Sequence, residues 1–205
     1  MHFRRIILSA IASAPLLAAM AGAAQALTPD QAKDFITQSG DKLVAIVNGG
    51  GSGGQKAGQL RDLVNQIVAV DQVGDYVLGR YNNVATPAQK QQFQGLFHQL
   101  LSYNITYQIK AYQGVTFNVN SATPQGDDVL VDTTITTPGK APADVGWVVE
   151  DDAGQPKIID VIVAGTSLRI TTRNDYAGVI TDNGGQVSAL LNAMQNQISK
   201  ISAAQ

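Results

Sequence analysis

At Gly114 the spacing of the apolar residues changes from that of helices to that of strands, and after Gly165 it changes back. Upstream, Ala32, Phe35, Ile36, Leu43, Ile46 and Val47 fall mostly three, four and seven apart, and Leu60, Leu63, Val64, Ile67 and Val68 share one helical face. The clearest helix opens at Thr86, with Pro87 first and Phe93, Leu96, Phe97, Leu100 and Leu101 recurring along it; Tyr103, Tyr107 and Tyr112 continue along it or just past it. Downstream, Val115, Phe117 and Val119 alternate, then Val129, Val131, Thr133 and Ile135, then Val145, Trp147 and Val149. The run "PKIIDVIVAG" is apolar on both faces, as a central strand would be, and "DDAGQP" before it reads as a hairpin loop. "SLRITTRNDYAGVITDNGG" reads as a helix ending at Gly184, and "QVSALLNAMQNQISK" as a terminal one. Helices, an antiparallel four-strand meander, then helices define an α+β chain.

One stretch competes with that order. "KLVAIVNGGGSGGQKAGQLRDLVNQIVAVD" places Gly49, Gly51 and Gly54 at G-x-G-x-x-G spacing, with Asp71 17 residues on, as in a dinucleotide-binding unit. That unit needs further parallel βα repeats, and the downstream strands are joined as hairpins. "KLVAIV" continues a helical stripe, and Gln55 stands where a phosphate-binding lysine would have to be. The glycines are therefore expected to form a mobile connection between two helices, with Gly40 a weak point of the first.

The start of the chain has its own logic. "MHFRR" is a basic n-region, an apolar run interrupted by Pro15 follows, and "AQA" precedes Leu27. These are the parts of a secretory signal peptide, expected to be cleaved after Ala26. Arg4 and Arg5 also raise the twin-arginine route, although the flanks fit general export better. Residues 27–205 are then a single domain of 179 residues with 12 basic and 16 acidic side chains, a balance that disfavours nucleic acid as a partner. No cysteine occurs, so the exported chain must be stabilised by its core.

Catalytic material is sparse. His98 is the one histidine after Ala26 and sits in the helical "LFHQLL", without a nucleophile elbow. A histidine-rich metal site and a cysteine nucleophile are excluded, and no cofactor is expected. The acid pairs Asp127/Asp128 and Asp151/Asp152 fall in turns. Arg169 and Arg173, four apart on a helix, can meet an anionic head group, a partner's acidic patch or local acids such as Asp175. What remains is abundant apolar surface, which either fills a core or encloses a space for lipid chains; each buried CH₂ contributes about 0.8 kcal/mol.

The ordered blocks "LGRYNNVATPAQKQQF", "WVVEDDAGQPKIIDV" with its following "GTS", and "RNDYAGVITDNGG" resemble the MlaC / toluene-tolerance family of periplasmic phospholipid-binding proteins. The resemblance covers nearly all of the exported chain, most firmly residues 76–194. It implies a non-enzymatic carrier that holds phospholipid acyl chains in an apolar pocket between a curved sheet and helices. Its implied partners are an outer-membrane lipoprotein–porin complex and an inner-membrane ABC transporter complex. Carried onto this sequence, the pocket positions are Tyr103, Tyr107, Trp147, Val149, Ile162, Thr166 and Leu168, with Val131 and Val77 in addition. Asn82 and the length of "NGGGSGG" depart from the family pattern. A related branch implies a hopanoid as alternative cargo, and an enzyme using the same cavity is the reading from another class.

Overall fold

The computed structural model describes residues 26–107 and 112–203, with backbone alone at 105–107. The signal-peptide assignment therefore lies outside the described residues except for Ala26, as does the Tyr107 side chain. Helices α1 (Pro29–Asn48), α2 (Gly53–Ile67) and α3 (Val70–Leu78) lead through a 3-10 turn (Gly79–Asn83) into α4 (Pro87–Tyr107). Strands β1 (Thr116–Gln125), β2 (Asp128–Thr136), β3 (Ala143–Asp152), β4 (Gln155–Val163) and β5 (Thr166–Ser167) follow, then α5 (Leu168–Asp182) and α6 (Val187–Ala203). The sheet is antiparallel, with its strands in chain order. The α+β reading holds, and the expected four strands become five. The addition is the two-residue β5, too short to leave an alternating pattern.

Three helices start with the same device. The side chains of Thr28, Ser52 and Thr86 accept the N–H of Gln31, Gln55 and Gln89, and each glutamine accepts the cap residue's own N–H in return. Ser52 narrows the glycine connection: α1 ends at Asn48 with Gly49 as its C-cap, and Gly53 and Gly54 already lie in the first turn of α2. Lys56, 7% exposed, donates to the carbonyl of Val47 at 2.8 Å and so caps the C-terminus of α1 from α2.

Both hairpins after β3 use an Ala-Gly pair with positive φ, Ala153/Gly154 at 51° and 86° and Ala164/Gly165 at 49° and 76°. That backbone matches the right-handed twist of the flanking strands.

The apolar residues form two main bodies. One lies among helices: Val77, Leu78, Phe93, Phe97, Leu100, Ile180, Leu190 and Met194 join α3, α4, α5 and α6. The other lies between sheet and helices: Val129, Val131, Val149 and Ile158 pack against Ala32, Ile36, Leu63 and Ile67 of α1 and α2. Val68 touches both, and Ala69 N–H donates to Ile158 C=O at 3.0 Å, tying the α2–α3 junction to the edge of β4. Gly40, buried in α1, is a packing glycine rather than a weak point: a Cβ there would come within 2.5 Å of the Phe117 ring.

Candidate functional site: an apolar sheet face with an exposed rim

Paired residues in an antiparallel sheet share a face, so register decides which sequence-predicted residues meet. Val131 pairs with Trp147, Trp147 with Val161, Val129 with Val149, and Val149 with Ile158. Together they make one apolar face, beneath α1 and α2. Val131 and Val149 are 0% exposed there, while Trp147 and Val161 are half-buried. The Trp147 indole donates to Thr133 Oγ1 at 2.9 Å, and that hydroxyl donates to Val145 C=O at 2.9 Å. Both polar atoms are thereby satisfied within apolar surroundings. Thr133 has no exposed surface at all. Sequence reasoning placed it on this face but not in the site, because alternation does not report a hydroxyl's partner.

The same face continues to an open end. Val145 pairs with Val163, and Val163 with Thr166 in β5. Val163 is 38% exposed, and Leu168 and Ile170 on the first turn of α5 are 46% and 48% exposed. These three are among five large exposed apolar residues in the described chain, the others being Val84 and Tyr112. The three fall within eight residues of the chain, which makes this end of the sheet the candidate rim.

Asp160 anchors this corner through hydrogen bonds. This carboxylate is 7% exposed; it accepts from Ser167 Oγ at 2.5 Å and from the N–H groups of Val161 and Arg169 at 2.8 and 3.0 Å. Ser167 Oγ in turn accepts Ile170 N–H at 3.0 Å and caps α5. The Asp160 and Ser167 of the quoted sequence blocks thus fix the strand-to-helix corner on which Thr166 and Leu168 stand.

Other candidates are placed elsewhere. Ile162 pairs with Gly146 and Ser167 on the opposite face, where Leu130 crosses the space left by Gly146. Val77 is 1% exposed inside the helical body, away from the sheet face. Tyr103 is half-buried on α4. The structure therefore brings Val131, Trp147 and Val149 together, sets Thr166 at the rim of their face, and separates Ile162 and Val77 from them.

Two clefts lie outside this face. One of about 320 Å³ is bounded by Asn65, Asp71, Gln72, His98, Asp152 and Lys157 among others, and the second, about 450 Å³, lies along the glycine connection beside Gln55 and Asp62. In the first, His98 Nε2 meets Asp71 Oδ1 at 2.8 Å, and the hydroxyl of Ser102 is directed to the His98 main-chain carbonyl, not to the ring. Among the described residues, no group of three metal-ligating side chains forms a metal site, and no helix is long and apolar enough to cross a membrane.

The "LGRY" block acts in packing α3 onto α5. Arg173 lies against Gly79, whose φ of 56° and missing Cβ let the guanidinium approach. The Tyr81 hydroxyl meets Thr181 Oγ1 at 2.8 Å and accepts from Arg80 at 2.8 Å. Those two bonds hold the phenol below its ordinary pKa, that with Thr181 first. Asn82 keeps its side-chain oxygen buried without a hydrogen-bond partner.

Comparison with known proteins gives concordant results. The sequence model of the family described as MlaC protein matches residues 37–196. The intermembrane phospholipid transport system binding protein MlaC of Haemophilus influenzae is 23% identical over 176 residues, spanning 81% of each chain. A phospholipid-binding protein from Ralstonia solanacearum, solved in complex with a phospholipid, matches with a TM-score of 0.74 at 25% identity, over 83% of this chain and 98% of that one.

Proposed function

The chain belongs to the MlaC family, and from that premise we propose that it is a soluble periplasmic carrier of phospholipid, exported with its signal peptide cleaved after Ala26. The observation that carries this reading is the apolar sheet face, which runs without a break from buried Val131 and Val149 through half-buried Trp147 to exposed Val163. An acyl chain matches such a face, and its free energy of burial grows with every methylene covered. The similarity to a protein solved with a phospholipid supports the same cargo.

Val131, Trp147 and Val149 form the floor of the site in this proposal, and Thr166 and Leu168 its rim. Ile36 and Leu63 of α1 and α2 now occupy the space above the floor, so loading requires those helices to yield. No bond is made or broken. The carrier takes lipid at one membrane complex and releases it at another because its affinity differs between the two docked states. The partners in this reading are an outer-membrane lipoprotein–porin complex and an inner-membrane ABC transporter complex.

Thr166→Glu tests the rim. A carboxylate beside the tails must be desolvated, so lipid occupancy is expected to fall at least about tenfold while the melting temperature stays within a few degrees. Occupancy equal to the parent's would remove Thr166 from the site.

A further inference from the structure

Arg169 and Arg173 stand one turn apart on α5, and both guanidinium groups lie over the same ring, 4.2 and 5.0 Å from the centroid of Tyr76. Two like charges beside one ring repel one another, and a neighbouring anion offsets that repulsion. Asp160 partly balances Arg169, with its Oδ2 4.0 Å from the guanidinium Nε, and Asp128 also lies in the field of Arg169. Arg173 has no carboxylate within 4.0 Å among the described residues. The Nε of Arg169 is buried and donates to nothing. Packing over Tyr76 and against Gly79 therefore holds two guanidinium groups in place with donors to spare. Leu168 and Ile170, on either side of Arg169, expose nearly half their surface.

We propose that Arg169 and Arg173, presented on Tyr76, form a subsite for a phosphate group, with Leu168 and Ile170 taking the apolar part of the same ligand. A guanidinium fork matches the spacing of phosphate oxygens, and two forks carried on one ring offer more donors than either alone. The adjoining apolar pair makes the site suited to an amphiphile. Its phosphate comes from a phospholipid head group or, lacking the tails, from free phosphate. The identity of the ligand rests on the carrier reading; the cationic geometry does not.

The test uses the mature protein, stripped of lipid and offered vesicles containing equal amounts of phosphatidylglycerol and a diacylglycerol with the same chains. The lipids retained by the protein are then extracted and quantified. The parent is expected to favour phosphatidylglycerol by about tenfold or more, and Arg173→Met to lower that preference below about threefold, with Arg173→Lys between them. Should Arg173→Met fail to fold, Arg169→Met carries the same expectation. Equal preference in the parent and a folded variant overturns the subsite. If no lipid loads in any form, the carrier reading fails, and ³¹P line broadening of inorganic phosphate then decides the subsite. Broadening seen with the parent and lost in Arg173→Met keeps it, with the free ion as its ligand; no broadening overturns it.

Discussion

Asp160 sits in an apolar strand and looks out of place there, yet it organises the corner beside the proposed rim. Its carboxylate accepts from the Ser167 hydroxyl and from the main-chain N–H groups of Val161 and Arg169, and that hydroxyl also caps α5. Asp160→Ala leaves those donors without their acceptor and is expected to cost about 2–4 kcal/mol in urea unfolding, against about 1 kcal/mol for Ser167→Ala. Similar losses in the two variants would mean that the cap, not the carboxylate, fixes the corner. A second residue sets an alkaline limit. Burial, and then Asp175, push the Tyr176 phenol up from 10.0 to about 12. The folded state thus favours the neutral phenol, a contribution fully present below pH 10 and lost as pH rises towards 12. It amounts to at most about 2–3 kcal/mol. Unfolding measured between pH 8 and 12 should show this decline in the parent and a flatter profile in Tyr176→Phe; parallel profiles would place the titration elsewhere. Of these residue roles, the sequence displayed the motif positions but not their partners, because Asp160 and Ser167 meet only once the Ala164–Gly165 turn has closed.

At the scale of elements, the residue pattern located α1, α2, α4, α5, α6 and all four long strands of the described chain. Turn and cap chemistry set their ends. Thr28 and Thr86 announce themselves through the prolines that follow, whereas Ser52 is hidden in a run of glycines and made the α1–α2 connection look longer than it is. Face assignment was less legible. The run "IIDVIVAG" is apolar throughout, so alternation could not say that Ile162 faces away from Trp147; the register with Gly146, and an irregularity between Val148 and Val149, decide it. Gly40 is the element-scale test of how closely α1 crosses β1. Gly40→Val adds bulk where a Cβ alone already reaches 2.5 Å from Phe117, and is expected to destabilise by about 1–3 kcal/mol. A neutral substitution would show that α1 can lift from the sheet at little cost.

The described chain places most of its buried apolar residues in a helical body around Phe93 and a sheet face beneath α1 and α2, with a smaller cluster at Val47, Leu60 and Val115. The division predicts separable behaviour. Phe93→Ala, at a fully buried position, should cost about 3–5 kcal/mol while the folded fraction still loads lipid. Val131→Asp should abolish loading whether or not it lowers stability, since the unpaired charge stands on the floor of the proposed site. Periodicity identified both bodies as apolar, yet it could not tell a permanent core from one that lipid would displace in the proposed carrier. Both present the same spacing of side chains. The most direct test is native mass spectrometry of the mature protein purified without detergent. The account predicts a bound species heavier than the chain by the mass of a phospholipid, lost in Val131→Asp and diminished in Thr166→Glu. A mass equal to the bare chain in every preparation, including one incubated with phospholipid vesicles, would contradict it.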